Sequence, residues 1–325
     1  MSRSAMSVFR LPEPGRPHVL IEAAGPQNIL DIDQTKIVDL YKRHGALLFR
    51  GFDADIAQFG RFSAQFCRTS VVNESPGRNV MDDTRNIHSV DGGTGAFPLH
   101  PELSREPWKP DVAFFACFGA PKVGGQTTIC DGVQIVREMP VDIREGLKSR
   151  RLVYLKGVWP ELLRFWLGTD APDDALLMSP PAGCPYSFRR LNGKIVRLFS
   201  RPALHLPMFS TEPAFGNFLL FARFNNGRIG FPMLDDGRAV PDPWLWEINA
   251  IGDRLMVPIE WQTGDVLMID NTRFMHGRTA IEDVAERQIA TFFGYLRFAV
   301  PDPEEPVGAP WRTADFRPPV PPGLA

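Results

Sequence analysis

Two residues in the first third of the chain, His100 and Glu102, have the types and the spacing of a pair of metal ligands. On an extended segment, positions i and i+2 project from the same face, so the imidazole and the carboxylate can meet one ion. A third ligand is offered by His276, which follows an apolar strand and a polar turn in TGDVLMIDNTRFMHGR. Two histidines and one carboxylate on one face of a metal ion, with its other coordination positions open, are typical of non-haem Fe(II) sites that use oxygen. Zinc accepts such a set as well, so these residues alone leave the metal open.

Several separated segments of the chain resemble one enzyme family. They are GALLFRGF (45–52), LHPEL (99–103), PKVGGQTTICDG (121–132), and GDVLMIDNTRFMHGR (264–278) followed by Arg287. In this order they are similar to the Fe(II)- and 2-oxoglutarate-dependent dioxygenases of the taurine dioxygenase and clavaminate synthase type. The resemblance implies a mainly β (α+β) fold, a double-stranded β-helix or cupin-like jelly-roll barrel with flanking helices. It also implies that His100, Glu102 and His276 are the catalytic ligands of Fe(II).

The cosubstrate 2-oxoglutarate is the second implication of the resemblance. Thr127, within GGQTT, matches the threonine that hydrogen-bonds its distal carboxylate, and Arg287 matches the arginine that pairs with the same group. A guanidinium holds a carboxylate through two parallel charge-assisted hydrogen bonds, which fix direction as well as charge. Arg297, in the next apparent strand, is the alternative anchor. The family converts 2-oxoglutarate and O2 to succinate and CO2, and hydroxylation of an unactivated C–H bond is its default reaction.

Other uses of the same ligands stay open. Desaturation, epoxidation and oxidative cyclisation need the same metal and cosubstrate, so the ligands do not choose between them. Halogenases of the superfamily have a small residue at the position of Glu102, which argues against halogenation. The alternative of another class is a non-redox metal-binding cupin-like protein, and such a protein would have no need of Thr127 and Arg287 as anchors.

The expected substrate class follows from a departure from the taurine dioxygenase pattern. Thr291 stands where that enzyme has an arginine that helps to hold the sulfonate, which argues against taurine. Glu102 and the segment around His276 look closer to clavaminate synthase, whose relatives act on amino acids and natural-product intermediates. We therefore expect a small-molecule substrate, free or bound to a carrier protein, with Arg278, His88 and Arg85 as substrate contacts. A docking surface for an acidic carrier is predicted from a basic cluster of Arg189, Arg190, Lys194, Arg197 and Arg201.

Local signals place these residues on short elements. Apolar spacing predicts one helix between Asp33 and Gly45 and a second that begins at Asp53, with further helices near 140–151 and 162–166. Apolar runs predict strands over 46–52, 111–118, 264–270 and 290–300. The pairs Asn192-Gly193 and Asn226-Gly227 predict hairpin turns. The polar segment 73–98, which leads into His100, is expected to border the substrate pocket as a mobile loop.

Composition sets the remaining limits. The 325 residues include 36 basic and 38 acidic side chains, so no global basic field attracts nucleic acid or a membrane surface. Ligands drawn from both halves predict a single dioxygenase domain over 1–325, with a proline-rich extended tail at 301–325. Apolar runs too short to span a bilayer, and four scattered cysteines, predict a cytoplasmic protein with reduced thiols. The oligomeric state is left open.

Overall fold

The structure, a computed structural model, describes residues 7–71, 75, 77–300 and 302–321. Its strands are β1 (Val8–Arg10), β2 (Val19–Glu22), β3 (Ala46–Arg50), β4 (Cys67–Ser70), β5 (Val80–Asp82), β6 (Ile87–Ser89), β7 (Phe97–His100), β8 (Val112–Gly119), β9 (Thr127–Asp131), β10 (Arg151–Gly157), β11 (Ser187–Leu191), β12 (Lys194–Pro202), β13 (Met233–Leu234), β14 (Val257–Ile259), β15 (Val266–Asp270), β16 (Phe274–Arg278) and β17 (Gln288–Leu296). Its α-helices are α1 (Gln34–His44), α2 (Ile56–Phe66), α3 (Gly132–Glu138), α4 (Val141–Lys148), α5 (Pro160–Leu167), α6 (Asp174–Met178) and α7 (Asp242–Leu255).

Two sheets face each other across the main core. The larger sheet has nine strands in the order β1-β2-β3-β15-β8-β17-β6-β5, with β4 also paired to β17, and the smaller has the order β14-β9-β16-β7. Side chains from both sheets, such as Phe115 and Phe293 from the larger and Ile129 and Phe274 from the smaller, are buried in one cluster. A third sheet, β11-β12-β10-β13, lies beside this sandwich.

The outer faces of the two sheets are covered by helices. Phe59 and Phe62 of α2 pack with Phe49 and Phe114 on the outer face of the larger sheet. Helices α3, α4 and α7 cover the smaller sheet, where Met275 alternates with the inward-facing Phe274. Side chains of a strand alternate between faces, so an apolar strand buried on both sides needs cover on both. This layering leaves the smaller sheet with one face toward the main core, and the predicted metal ligands lie on it.

Most predicted elements are confirmed with shifted ends. Helix α1 begins after Asp33, whose side chain accepts hydrogen bonds from the N–H groups of Thr35 and Lys36, and ends at Gly45 with φ of 74°. The hairpin of β11 and β12 turns at Asn192 and Gly193, both with positive φ, as the Asn-Gly pair predicts.

Two predictions in the loops are wrong. Asn226-Gly227 does not close a hairpin, because Phe221–Asn225 forms a π-helical turn that ends at Asn226. Gly227 has φ of 61°, and an Asn-Gly pair that tolerates positive φ closes a helical turn as readily as a hairpin. The segment 73–98 is not simply a loop, since β5 and β6 pair within it; residues 73, 74 and 76 lie outside the described part.

The proline-rich C-terminal segment is attached to the body of the protein. In its described residues, 302–321, it has a single 3-10 turn, Pro310–Arg312, and no strand. Trp311 and Phe316 are nevertheless buried in the main core cluster, where Phe316 meets Trp108. None of the helices in the described residues combines the length and the apolarity that a bilayer-spanning helix needs.

Candidate metal centre and cosubstrate site

The three predicted metal ligands come together on one face of the smaller sheet. His100 ends β7 and lies opposite His276 of β16 in the antiparallel register, and Glu102 follows two residues later. One ligand atom from each residue lies within 4.8 Å of the others. The Nε2 atom of His276 is 3.7 Å from Oε2 of Glu102, and the two imidazole centroids are 4.6 Å apart. The sequence prediction that these residues share one site is thereby supported by their geometry.

The protonation states of the three residues suit a divalent cation. Nδ1 of His100 donates to the Pro98 carbonyl oxygen at 2.9 Å, which leaves the lone pair of Nε2 free for a metal. Burial lowers the pKa of both histidines, so both imidazoles are neutral. Burial is the largest influence on Glu102 and acts to raise its pKa, but Arg78, through its charge and its hydrogen bond, together with neighbouring basic groups outweighs it, so the pKa is below its ordinary value. Two neutral imidazoles and one carboxylate match the donor set of non-haem Fe(II).

The backbone around Glu102 is held by a buried amide. Asn271, in the turn between β15 and β16, accepts a hydrogen bond from the Glu102 N–H at 2.7 Å through Oδ1. Its Nδ2 donates to the carbonyl oxygens of Glu102 at 3.1 Å and Pro110 at 2.9 Å. Leu103, the next residue, has φ of 49°, a backbone conformation that a leucine adopts only under constraint from its surroundings. The turn that leads to His276 therefore also fixes the position of Glu102.

The Glu102 carboxylate has a cationic partner, Arg78, that no sequence pattern indicates. Arg78 donates from Nη2 to Oε2 of Glu102 at 3.0 Å, and from Nε to Oδ2 of Asp91 at 3.0 Å. The Arg78 side chain is only 7% exposed and lies over the ring of Phe293. It therefore links the segment before β7 to a predicted metal ligand, through contacts between residues that are distant in sequence.

Of the two predicted cosubstrate anchors, Thr127 lies on the strand paired with that of His276, and Arg287 contacts the segment just before Thr127. Thr127 begins β9 on the same side as Ile129, which is the register partner of His276. The Thr127 hydroxyl accepts a hydrogen bond from Nε1 of Trp261 at 3.2 Å, so its own proton is free to be donated. Arg287 donates from Nε to the Gly125 carbonyl oxygen at 2.6 Å, two residues before Thr127. Its two terminal nitrogens have no hydrogen-bond partner among the described residues.

The alternative anchor and the predicted substrate contacts lie elsewhere or are already engaged. Arg297 is exposed and donates to the Ala64 carbonyl oxygen on α2. Arg278 is buried on β16 and donates to the carbonyl oxygens of Asp91 and Gly95, so it holds the segment before β7. His88 bonds to the Asn86 side chain, and Arg85 pairs with Asp82. Neither His88 nor Arg85 lines the cavity beside the metal residues, so the expectation that they contact substrate has no geometric support.

The predicted basic cluster is not one exposed surface. Arg197 is buried and donates to the Tyr186 hydroxyl, and Arg201 donates inward to the carbonyl oxygens of Glu106 and Pro107. Arg190 is paired with Asp174 at 2.7 Å. Strand pairing turns alternate side chains of β12 toward the interior, which sequence spacing around the hairpin does not reveal.

A cavity of about 570 Å³ opens beside the metal residues, and His100 and Glu102 form part of its wall. Four phenylalanine rings line it, together with basic side chains and Asp91. The rings are those of Phe97, Phe218, Phe221 and Phe231, and the basic residues are Arg78, Arg105, Lys156 and Arg228. The segment before β7 contributes Ser75, Gly77 and Gly92, so the prediction that it borders the pocket is confirmed.

Two curated proteins are similar to this chain over most of its length. Dapdiamide synthesis protein DdaC of Enterobacter agglomerans is 22% identical over 299 residues, which cover 82% of this chain and 89% of that protein. A clavaminate synthase-like protein of Arabidopsis thaliana is 24% identical over 270 residues, which cover 74% of this chain and 78% of that protein.

Solved structures share the fold at lower identity. PvcB, an Fe, alpha-ketoglutarate dependent oxygenase from an isonitrile synthetic pathway, superposes with a TM-score of 0.58 at 15% identity, covering 93% of this chain and 96% of that one. A taurine dioxygenase from Burkholderia xenovorans superposes with a TM-score of 0.57 at 14% identity, covering 92% and 96%. The jelly-roll fold class predicted from the sequence is therefore confirmed.

The family itself is shown by the sequence. The model of the family described as "Taurine catabolism dioxygenase TauD, TfdA family" matches residues 13–291, which is most of the chain and includes His100, Glu102, His276, Thr127 and Arg287. The chain therefore belongs to the TauD, TfdA family and is an Fe(II)- and 2-oxoglutarate-dependent dioxygenase that acts on a small molecule.

Proposed function

We propose that this enzyme hydroxylates an unactivated C–H bond of an amino acid, free or bound to a carrier protein, or of a related natural-product intermediate. The observation that carries the proposal is the cavity beside His100 and Glu102, whose wall offers charges of both signs and apolar rings. An amino acid carries a carboxylate, an ammonium group and a side chain, and each has a suitable surface there. DdaC is named for dapdiamide synthesis and PvcB comes from an isonitrile synthetic pathway, and both names support a role for this enzyme in natural-product biosynthesis.

The chain's own residues divide into three groups in this proposal. His100, Glu102 and His276 hold Fe(II), and Thr127 and Arg287 hold the distal carboxylate of 2-oxoglutarate. The metal and the cosubstrate supply the oxidising chemistry, and the protein determines which C–H bond is presented to it. The neutral imidazoles and the ionised Glu102 are ready to bind a cation without releasing protons.

Among the basic residues of the cavity, Arg228 is the one we assign to the substrate carboxylate. Lys156 forms an ion pair with Glu106, and Arg105 lies 3.9 Å from the same carboxylate. Arg78 is engaged by Glu102 and Asp91. Arg228 lies over the ring of Phe231 and has no carboxylate oxygen within 4.0 Å among the residues that the structure describes. A free guanidinium above an apolar ring is suited to bind a carboxylate in two parallel hydrogen bonds.

The first experiment tests the metal and cosubstrate assignment. Anaerobic addition of Fe(II) and 2-oxoglutarate should give the weak visible charge-transfer band of the chelate, and His100→Ala or His276→Ala should abolish both the band and succinate formation. Intact zinc binding without any band would instead favour a non-redox metal protein. Turnover that persists in either alanine variant would refute the ligand assignment.

The second experiment tests the substrate class. Amino acids and carrier-bound amino acids are screened for stimulation of succinate release, and the product mass is measured. A gain of one oxygen supports hydroxylation or epoxidation, whereas a loss of two hydrogens identifies desaturation or cyclisation. For an accepted substrate, Arg228→Gln should raise the KM more than tenfold. The control is Arg238, an exposed arginine paired with Asp236, and Arg238→Gln should leave the KM unchanged. Equal KM values in both variants would remove Arg228 from the substrate site.

A further inference from the structure

A second cavity, of about 870 Å³, lies between the third sheet and the C-terminal segment. Its wall includes Lys109, just before β8, Arg201 and Phe199 of β12, and Trp311 of the C-terminal segment. We call it the tail cavity. It has no lining residue in common with the cavity beside His100 and Glu102, so it is a separate site.

Four acidic side chains line the tail cavity, and three of them, Asp111, Glu304 and Glu305, are paired with arginines, whereas Asp302 is not paired within the described residues. Arg312 pairs with Asp111 at 3.0 Å and with Glu305 at 2.7 Å. Arg151 pairs with Glu304 at 2.6 Å. These carboxylates therefore do not repel an incoming anion as free charges would.

Two basic side chains of the same wall have no such partner. No carboxylate oxygen lies within 4.0 Å of the nitrogens of Lys109 or Arg201 among the described residues. Lys109 makes one long contact, 3.5 Å, to the Gly216 carbonyl oxygen. The Nε atom of Arg201 is buried without a hydrogen-bond partner in the described part of the chain, although its Nη2 reaches the backbone of Glu106 and Pro107.

Lys109 and Arg201 are half-buried, and the charge of Asp302, which lies more than 4.0 Å away, compensates them only in part. A cation without a close counter-ion is stabilised when an anion joins it. Burial, followed by the charge of Arg201, lowers the pKa of Lys109 to about 7. A negatively charged ligand between the two side chains would supply the missing partner to both. It would also provide an acceptor for the unpartnered Nε of Arg201.

The rest of the wall fits the body of an organic ligand. Leu198, Phe199, Met208 and Trp311 give it apolar surface, and its volume is in the range that holds organic molecules. We propose that the tail cavity binds an organic oxyanion, whose carboxylate or phosphate group is held by Lys109 and Arg201 and whose apolar part packs against these side chains.

The test uses the full chain loaded with Mn(II) and 2-oxoglutarate, so that the catalytic site is occupied. The fluorescent aromatic sulfonate anilinonaphthalenesulfonate serves as the probe, and hexanoate and inorganic phosphate serve as competitors. Lys109→Met should weaken probe binding at least tenfold. The control is Lys148, an exposed lysine on α4 outside the cavity, and Lys148→Met should leave probe binding unchanged. Leu206→Trp places a bulky ring at an exposed position of the wall, keeps both cations, and should also weaken binding at least tenfold.

Each outcome decides the proposal. Displacement of the probe by hexanoate alone identifies a carboxylate, displacement by phosphate alone identifies a phosphate, and displacement by both supports the general oxyanion site. The proposal is overturned if neither competitor displaces the probe, or if Leu206→Trp binds it as tightly as the wild-type protein. The Leu206→Trp result decides even if Lys109→Met does not fold.

Discussion

The buried amide of Asn271 allows a direct test of how Glu102 is positioned. Asn271→Ala removes one acceptor and two donor contacts at once, and the side chain is fully buried. The substitution leaves the Glu102 N–H and the carbonyl oxygens of Glu102 and Pro110 without their partners. Because a neutral hydrogen bond contributes about 1 kcal/mol net, we expect the free energy of unfolding to fall by about 3 kcal/mol.

A matched control is provided by Asn217, which is also buried but makes no hydrogen bond to His100, Glu102 or His276. Its Nδ2 donates to the Ala203 carbonyl oxygen at 3.1 Å, and its Oδ1 accepts from the Leu219 N–H at 3.0 Å. Asn217→Ala should therefore lower the free energy of unfolding by about 2 kcal/mol. Only Asn271→Ala should also weaken Mn(II) binding, by about 10- to 100-fold, as is usual when a group that orients a metal ligand is lost.

The two quantities are measured separately. Urea denaturation of the metal-free proteins gives the free energies of unfolding, and titration with Mn(II) followed by electron paramagnetic resonance gives the affinities. The reasoning is refuted if Asn271→Ala unfolds within about 1 kcal/mol of the wild-type protein, or if both alanine variants bind Mn(II) equally well.

Three further predictions concern the cosubstrate, pH and the C-terminal segment. Arg287→Gln should raise the KM for 2-oxoglutarate more than tenfold in a succinate assay, whereas Arg297→Gln, which changes an exposed residue, should leave the KM unchanged. An unchanged KM in Arg287→Gln would exclude Arg287 as the anchor. Burial, helped by two nearby arginines, lowers the pKa of His18 to about 4. Because His18 is therefore protonated more readily in the unfolded chain than in the folded protein, the free energy of unfolding should decrease by about 3 kcal/mol as the pH falls from about 6.5 to about 4. Urea denaturation across this range should show a smaller decrease for His18→Gln, and an identical decrease would contradict the prediction. Trp311→Ala should lower the free energy of unfolding by about 3–5 kcal/mol, because the ring is part of the main core. Val307→Ala, at a fully exposed position of the same segment, should change it by less than about 0.5 kcal/mol.

The parts of the fold that sequence predicts well depend on neighbouring residues. Asp33 and Gly45 act as helix caps through contacts within a few residues, and Asn192-Gly193 sets its turn by its own backbone preferences. Asn226-Gly227 has the same preferences, but the packing of Phe218 and Leu220 in the core selects a helical turn there. Local signals thus identify a turn, and tertiary contacts decide which kind it is.

The candidate site shows the same division. His100, Glu102 and His276 lie in segments that resemble the family, LHPEL and GDVLMIDNTRFMHGR, so the sequence identifies them as candidate ligands. Asn271 and Arg78 act through groups that approach from distant parts of the chain, such as the Pro110 carbonyl oxygen and the Asp91 carboxylate. No spacing in the sequence encodes those approaches, so their roles emerge only from the structure.

The pairing of β7 with β16 has a consequence for the order of events during synthesis. The ribosome completes His100 and Glu102 within the first third of the chain, and His276 only when most of it has been made. Asn271, which fixes Glu102, emerges just ahead of His276 in the same turn and strand. A nascent or prematurely terminated chain therefore lacks both His276, the proposed third ligand, and the Asn271 amide that holds Glu102, the proposed second ligand. Under the proposed ligand assignment, iron can be held by all three residues only after β16 has been made, so unfinished chains do not hold a complete oxygen-activating centre.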